Sequence, residues 1–233
     1  MVLVITPAAM LSPITRKEWQ YARQEGVCVY PVKGAADSDL DYKDLPRWMA
    51  KVHFRDPAQE WDQLIRDLRS PGQAPRVPFM APDLPNHYVE RPTEFAALRK
   101  LLVEEDRSDP VAITTALTGA GGFGKTTLAI ALCHDDDVIT AFDDGILWVT
   151  LGQEPDVLTS LRKFYRALTG KSDTFLDIED AQLALRRQLA DKSCLLVVDD
   201  VWHRAYLDPF LEGGPHCARL ITTRRSDAVP DAA

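Results

Sequence analysis

Gly119, Gly121, Gly122, Gly124, Lys125, Thr126 and Thr127 fall in one run, GAGGFGKTT, which fits the phosphate-cradling pattern G-x-x-x-x-G-K-[ST]. Glycines let the backbone fold back so that successive N–H groups point at phosphate oxygens. A helix leaving such a loop adds the positive end of its dipole. The Lys125 ammonium then reaches the β- and γ-phosphates, and the Thr126 hydroxyl completes a Mg²⁺ shell. Two carboxylates, Asp199 and Asp200, directly follow the apolar run CLLVV. At the end of a buried strand they face the edge where open α/β sheets bind ligands. Asp199 is the expected Mg²⁺ carboxylate, and Asp200 is placed to orient or deprotonate an attacking water. Thr222-Thr223-Arg224 ends another such run, so the Arg224 fork is a candidate reader of a γ-phosphate.

Those residues need strands and helices in alternation to bring them together. Val111 to Thr118 (VAITTALT) reads as the strand before the glycine loop, and Thr127 to Cys133 as the helix after it. Gly145–Leu151, Cys194–Val198 and Leu220–Thr223 read as further strands. Helical stripes lie between them. One comprises Phe95, Leu98, Leu101 and Leu102; another runs from Val157 to Leu168 and stops at Gly170; a third comprises Ile178, Ala181, Leu185 and Leu189. This order predicts an α/β fold, a parallel sheet of the P-loop NTPase type with helices on both faces.

Residues 1–69 read as a second α/β unit. Val2–Thr6 and Val27–Val32 are predicted strands, with a helix from Ser12-Pro13 to Gln24 between them, closed by Gly26. Asp37 to Asp44 is acidic and loop-like, and Trp61, Leu64, Ile65 and Leu68 mark one face of a last helix. Residues 70–86 carry five prolines and are expected to form an extended linker, so residues 87–233 make the nucleotide-binding part.

The chain has 233 residues, 45% hydrophobic and 27% charged, with a net charge of −8. Residues 1–85 hold 11 basic and 11 acidic residues, so the whole deficit falls beyond them. No basic patch makes an electrostatic case for nucleic acid. Cys28, Cys133, Cys194 and Cys217 are scattered, form no C-x-x-C and read as buried free thiols of a reducing compartment. No stretch has signal-peptide or membrane-spanning character, so a cytoplasmic protein without a membrane partner is expected.

GAGGFGKTT, FDDGILWVTL, CLLVVDDVW and RLITTR, in that order, resemble the NB-ARC nucleotide-binding domain of STAND ATPases, over residues 86–228. Tyr88-Val-Glu-Arg91-Pro-Thr-Glu94 is similar to that family's adenine-packing element, which implies adenine contacts by Tyr88, Val89 and Arg91; Glu90 stands where the element carries glycine. The resemblance implies a signalling switch that holds ADP at rest, exchanges it for ATP with Mg²⁺, hydrolyses slowly and self-associates on activation. Slow turnover and mere ADP retention need the same cradle, so a non-catalytic scaffold stays open as an alternative.

VLVITPAAMLSP, RKEWQYARQEGVCVYPV and Leu45-Pro46-Arg47-Trp48 resemble the rear part of a flavodoxin-like TIR domain. That resemblance implies pairing with other TIR domains, and places Glu18 where some TIR domains carry the glutamate that cleaves NAD⁺. A carboxylate there would steady a ribosyl cation. The chain has no residues for the first two strands of that fold, and it stops at Ala233 shortly after RLITTR, so a fragment or truncated frame is expected.

Overall fold

A computed structural model describes residues 1–35, 45–46, 48–70, 72, 74–104 and 124–229. The chain divides into two compact units, Met1–Val77 and Pro78–Ala233. The predicted strand Val111–Thr118 lies outside the described residues, as do Gly119, Gly121 and Gly122.

In the first unit, β1 (Val2–Ile5) and β2 (Tyr30–Lys33) pair in parallel, Val2 opposite Tyr30 and Ile5 opposite Lys33. Two helices join them, α1 (Pro7–Leu11) and α2 (Pro13–Gln24). Each starts at a proline behind a hydroxyl cap. Thr6 Oγ1 accepts from the Ala9 N–H at 3.1 Å and Ser12 Oγ from the Thr15 N–H at 3.3 Å. The second strand begins at Tyr30, not Val27, and Arg55 extends it beyond β2 through a parallel bridge to Val32. Leu3, Ile5, Trp19 and Met49 form the core.

The last helix of this unit, α3 (Pro57–Arg69), departs from the predicted face. Leu64 is buried, yet Trp61 is 58% exposed. Glu60 has φ −120° and ψ 21°, which kinks the helix between its first turn and Trp61. The Glu60 carboxylate accepts the Asp56 N–H at 3.0 Å, the reciprocal half of a cap in which Asp56 accepts from Ala58.

Among the described residues the second unit has three parallel strands, β3 (Gly145–Gly152), β4 (Cys194–Val201) and β5 (Ala218–Thr223), in that spatial order. Side chains alternate between two cores, as the pleat requires. Leu147, Val149, Leu196 and Val198 face α7 (Val157–Thr169) and α8 (Ile178–Leu189). Ile146, Trp148, Leu195 and Val197 face α4 (Pro92–Glu104), α5 (Lys125–Cys133) and α6 (Asp136–Ala141). The expected parallel sheet with helices on both faces is therefore present. Leu98 and Leu102 of α4 are core, while Leu101 points outward; Ile178, at the exposed start of α8, also leaves its stripe.

Phe79 bridges to Ile146 on the side of β3 away from β4, with Ile146 N–H donating to Pro78 O and Met80 N–H to Ile146 O, both at 2.9 Å. That close approach needs Gly145, whose φ is 130° and where a Cβ would meet Pro78 at 2.6 Å. β5 starts two residues earlier than predicted because Arg219 is inside the protein, 1% exposed. Cys133, Cys194 and Cys217 are buried free thiols, whereas Cys28 is only half-buried. No helix among the described residues is long and apolar enough to cross a membrane.

Candidate nucleotide site

The site is assembled where α5 begins and β4 and β5 end. Gly124 caps α5 with φ 69°, the left-handed conformation glycine adopts without strain, so Lys125, Thr126 and Thr127 form the first turn. Thr126 Oγ1 donates to Asp199 Oδ1 at 2.7 Å. Asp199 is 3% exposed, and two more hydroxyls converge on it: Thr222 Oγ1 donates to Oδ1 at 2.6 Å and Thr150 Oγ1 to Oδ2 at 3.1 Å. Thr150 lies opposite Asp199 in the β3–β4 register, and its oxygen accepts from Trp148 Nε1 at 3.2 Å. A buried carboxylate needs donors of this kind. The Thr126 hydroxyl and the Asp199 carboxylate are also hard oxygen donors side by side, a set that fits Mg²⁺, whose other positions go to phosphate and water.

Asp200 is oriented differently. The β4–β5 register shifts between Val198 and Val201, and Asp200 takes φ 53°, the one non-glycine positive φ among the described residues. Its N–H donates to Thr222 Oγ1 at 2.9 Å. Its Oδ2 accepts from Trp202 Nε1 at 3.1 Å, and its Oδ1 lies 3.7 Å from Arg224 Nε. Lys125, Thr126, Asp200, Thr222 and Arg224 line one polar cavity of about 270 Å³.

A second cavity of about 450 Å³ lies against α4 and α5, lined by Tyr88, Arg91, Phe95 and His134 among others. Of the three residues singled out for adenine, Tyr88 and Arg91 reach it, whereas Val89 is 78% exposed and does not. Arg91 also approaches the phosphate side, with Nη2 3.8 Å from where a Cβ on Gly124 would stand. Glu18 belongs to the first unit, on the exposed face of α2.

Thr150 and Trp202 escaped the sequence reading as site residues. Thr150 had one available cue, a lone hydroxyl near the carboxyl end of an otherwise apolar strand. Trp202 follows the carboxylate pair directly.

The chain matches the NB-ARC domain over residues 91–232, more than half its length. It is 30% identical over 135 residues to the putative disease resistance RPP13-like protein 1 of Arabidopsis thaliana, covering 54% of this chain and 13% of that protein. It is 30% identical over 222 residues to the regulatory protein AfsR of Streptomyces griseus, covering 85% of this chain and 22% of that protein. A second AfsR, from Streptomyces coelicolor, is 37% identical over 125 residues, 52% of this chain and 12% of the relative. The chain thus spans less than a quarter of each of these proteins.

Proposed function

The chain belongs to the NB-ARC domain family, and on that premise we propose that it is an adenine-nucleotide switch, holding ADP at rest and ATP with Mg²⁺ when active. What carries this is the junction of α5 with β4, where Thr126 and Asp199 share a hydrogen bond beside Lys125, Asp200 and Arg224. Lys125 neutralises the β- and γ-phosphates, and Arg224 offers its planar fork to a γ-phosphate. Thr126 and Asp199 hold the cation, which when bound neutralises charge on the phosphate oxygens. Asp200 orients the attacking water and takes its proton as the γ-phosphoryl group passes from ADP to the water oxygen. The strained backbone of Asp200 and its bonds to Thr222 and Trp202 suit a group that must keep one direction. Tyr88 and Arg91 supply the base-side wall. Turnover is slow, and the nucleotide state governs association with further copies in the cytoplasm.

Replacing Lys125 with Ala tests the reading. Loss of ADP and ATP binding, in a variant that keeps its far-ultraviolet circular dichroism, is the expected result. Unchanged affinity would refute it.

The first unit supports a second reading, a TIR-like effector or interaction module. Its motivation is the parallel β1–α2–β2 crossover, with Glu18 presented to solvent on the helix. Incubation with NAD⁺ decides the catalytic version. Nicotinamide release abolished by Glu18→Ala supports it, and no release leaves the interaction role.

A further inference from the structure

Trp202 follows β4 directly and is half-buried. It contacts two polar groups to which the nucleotide reading assigns roles, Asp200 and Arg224. Its indole N–H donates to Asp200 Oδ2 at 3.1 Å. Its ring lies under the Arg224 guanidinium, whose Cζ is 5.7 Å from the ring centroid. Arg224 Nε in turn stands 3.7 Å from Asp200 Oδ1. Three side chains therefore close a ring. One carboxylate oxygen is taken by the indole, the other is turned to the arginine, and the arginine rests on the indole face. The Asp200 backbone is held too, by its N–H bond to Thr222.

The geometry points to Trp202 as a positioning residue that parks Arg224 beside Asp200 until a γ-phosphate draws it away, so that Trp202 sets the preference between diphosphate and triphosphate. The inference rests on the nucleotide reading above and adds a regulatory role to that site. Both contacts holding Arg224 are weak, because the guanidinium is half exposed and solvent screens them. A γ-phosphate offers two charge-assisted hydrogen bonds to the same fork, and these are stronger. A diphosphate lacks the group that competes. The cost of breaking the ring then falls on ATP alone, and by linkage a ligand shifts this two-position arginine only by its differential affinity.

The test measures affinities for ADP and for a non-hydrolysable ATP analogue, each with Mg²⁺, on the parent chain, Trp202→Leu, Trp202→Phe and Arg224→Ala. Leucine removes both the ring face and the N–H. It should leave the ADP affinity within two-fold and raise the triphosphate-to-diphosphate affinity ratio about three-fold, the size of a half-exposed cation–π contact. That rise should vanish when Trp202→Leu is combined with Arg224→Ala. Indole fluorescence gives a reading that mere packing would not move. The analogue should change the emission of the parent and ADP should not, and the change should be absent from both Trp202→Phe and Arg224→Ala. If Trp202→Leu does not fold, the fluorescence comparison carries the test alone. A ratio shift surviving in the double variant, or an emission change surviving in Trp202→Phe, would overturn the inference. Normal ADP binding with an unmoved ratio overturns this inference alone; a parent chain that binds neither nucleotide overturns the nucleotide reading and this one with it.

Discussion

Thr126 and Asp199 stand 73 positions apart in the chain, yet the hydroxyl of one donates to the carboxylate of the other at 2.7 Å. The bond joins the first turn of α5 to the carboxyl-terminal end of β4. Thr222 completes the arrangement from β5, donating to the same Oδ1 while accepting the Asp200 N–H. A single hydroxyl therefore serves two consecutive aspartates in opposite senses.

Thr222→Val keeps the shape and removes that hydroxyl. It leaves the Asp200 N–H without this acceptor and the buried Asp199 with one donor fewer. A loss of about 2 kcal/mol in unfolding free energy is expected, with Thr222→Ser recovering most of it. Urea denaturation measures both, and a valine variant within about 0.5 kcal/mol of the parent would contradict the arrangement.

Arg219 is the largest buried charged side chain among the described residues. Its guanidinium donates to the carbonyls of Phe210 (3.2 Å), Cys217 (3.2 Å), Glu212 (3.0 Å) and Gly213. Burial lowers its pKa, so the carbonyls must supply the stabilisation that water would otherwise give. Arg219→Leu strips the 210–217 segment of those donors, and about 3 kcal/mol of stability should go with them. Arg219→Lys, a point charge without the fork, should recover less than half. Equal stabilities for the parent and the leucine variant would show the cage to be dispensable.

The thiols should separate by reactivity. Burial pushes Cys133 up to about 12, and the Cys217 thiol, together with burial, holds Cys194 well above the ordinary range. Cys28 is half-buried, its Sγ donating to Gly72 O at 2.7 Å. Brief alkylation with iodoacetamide at pH 8 should label Cys28 first, and Cys133 and Cys194 only after unfolding. Peptide mass mapping reads the order, and early labelling of Cys133 would contradict it.

Asp156 caps α7, accepting the Thr159 N–H at 2.9 Å and the Thr159 hydroxyl at 2.7 Å, and these bonds hold its pKa below the usual carboxylate value. A folded pKa below the unfolded one means that the charged cap stabilises fully above the unfolded value, about 4. The contribution is lost as pH falls through the folded pKa. The stability gap between the parent and Asp156→Ala should therefore be constant from pH 8 to pH 5 and narrow below about pH 4. A gap independent of pH would mean that the carboxylate charge plays no part.

Much of this protein was legible in one dimension because its cues are local. Apolar runs such as CLLVV mark buried parallel strands, stripes at helical spacing mark α7 and α8, and a glycine run ending in Lys125-Thr126 marks the start of a helix. Two aspartates after the apolar run CLLVV were enough to place carboxylates toward the carboxyl end of β4, which runs on through both to Val201. What tertiary structure decided is which distant groups meet. The parallel register sets Thr150 opposite Asp199, and the register shift after Val198 turns Asp200 toward Trp202 and Arg224. Glu60 kinks α3, Trp61 stays exposed despite its helical spacing from Leu64, and a ring of backbone carbonyls makes the inside of the protein tolerable for Arg219. Periodicity reports which face of an element is apolar. Register, bulges and kinks depend on pairing energies between segments far apart in the chain, and those exist only once the chain has folded.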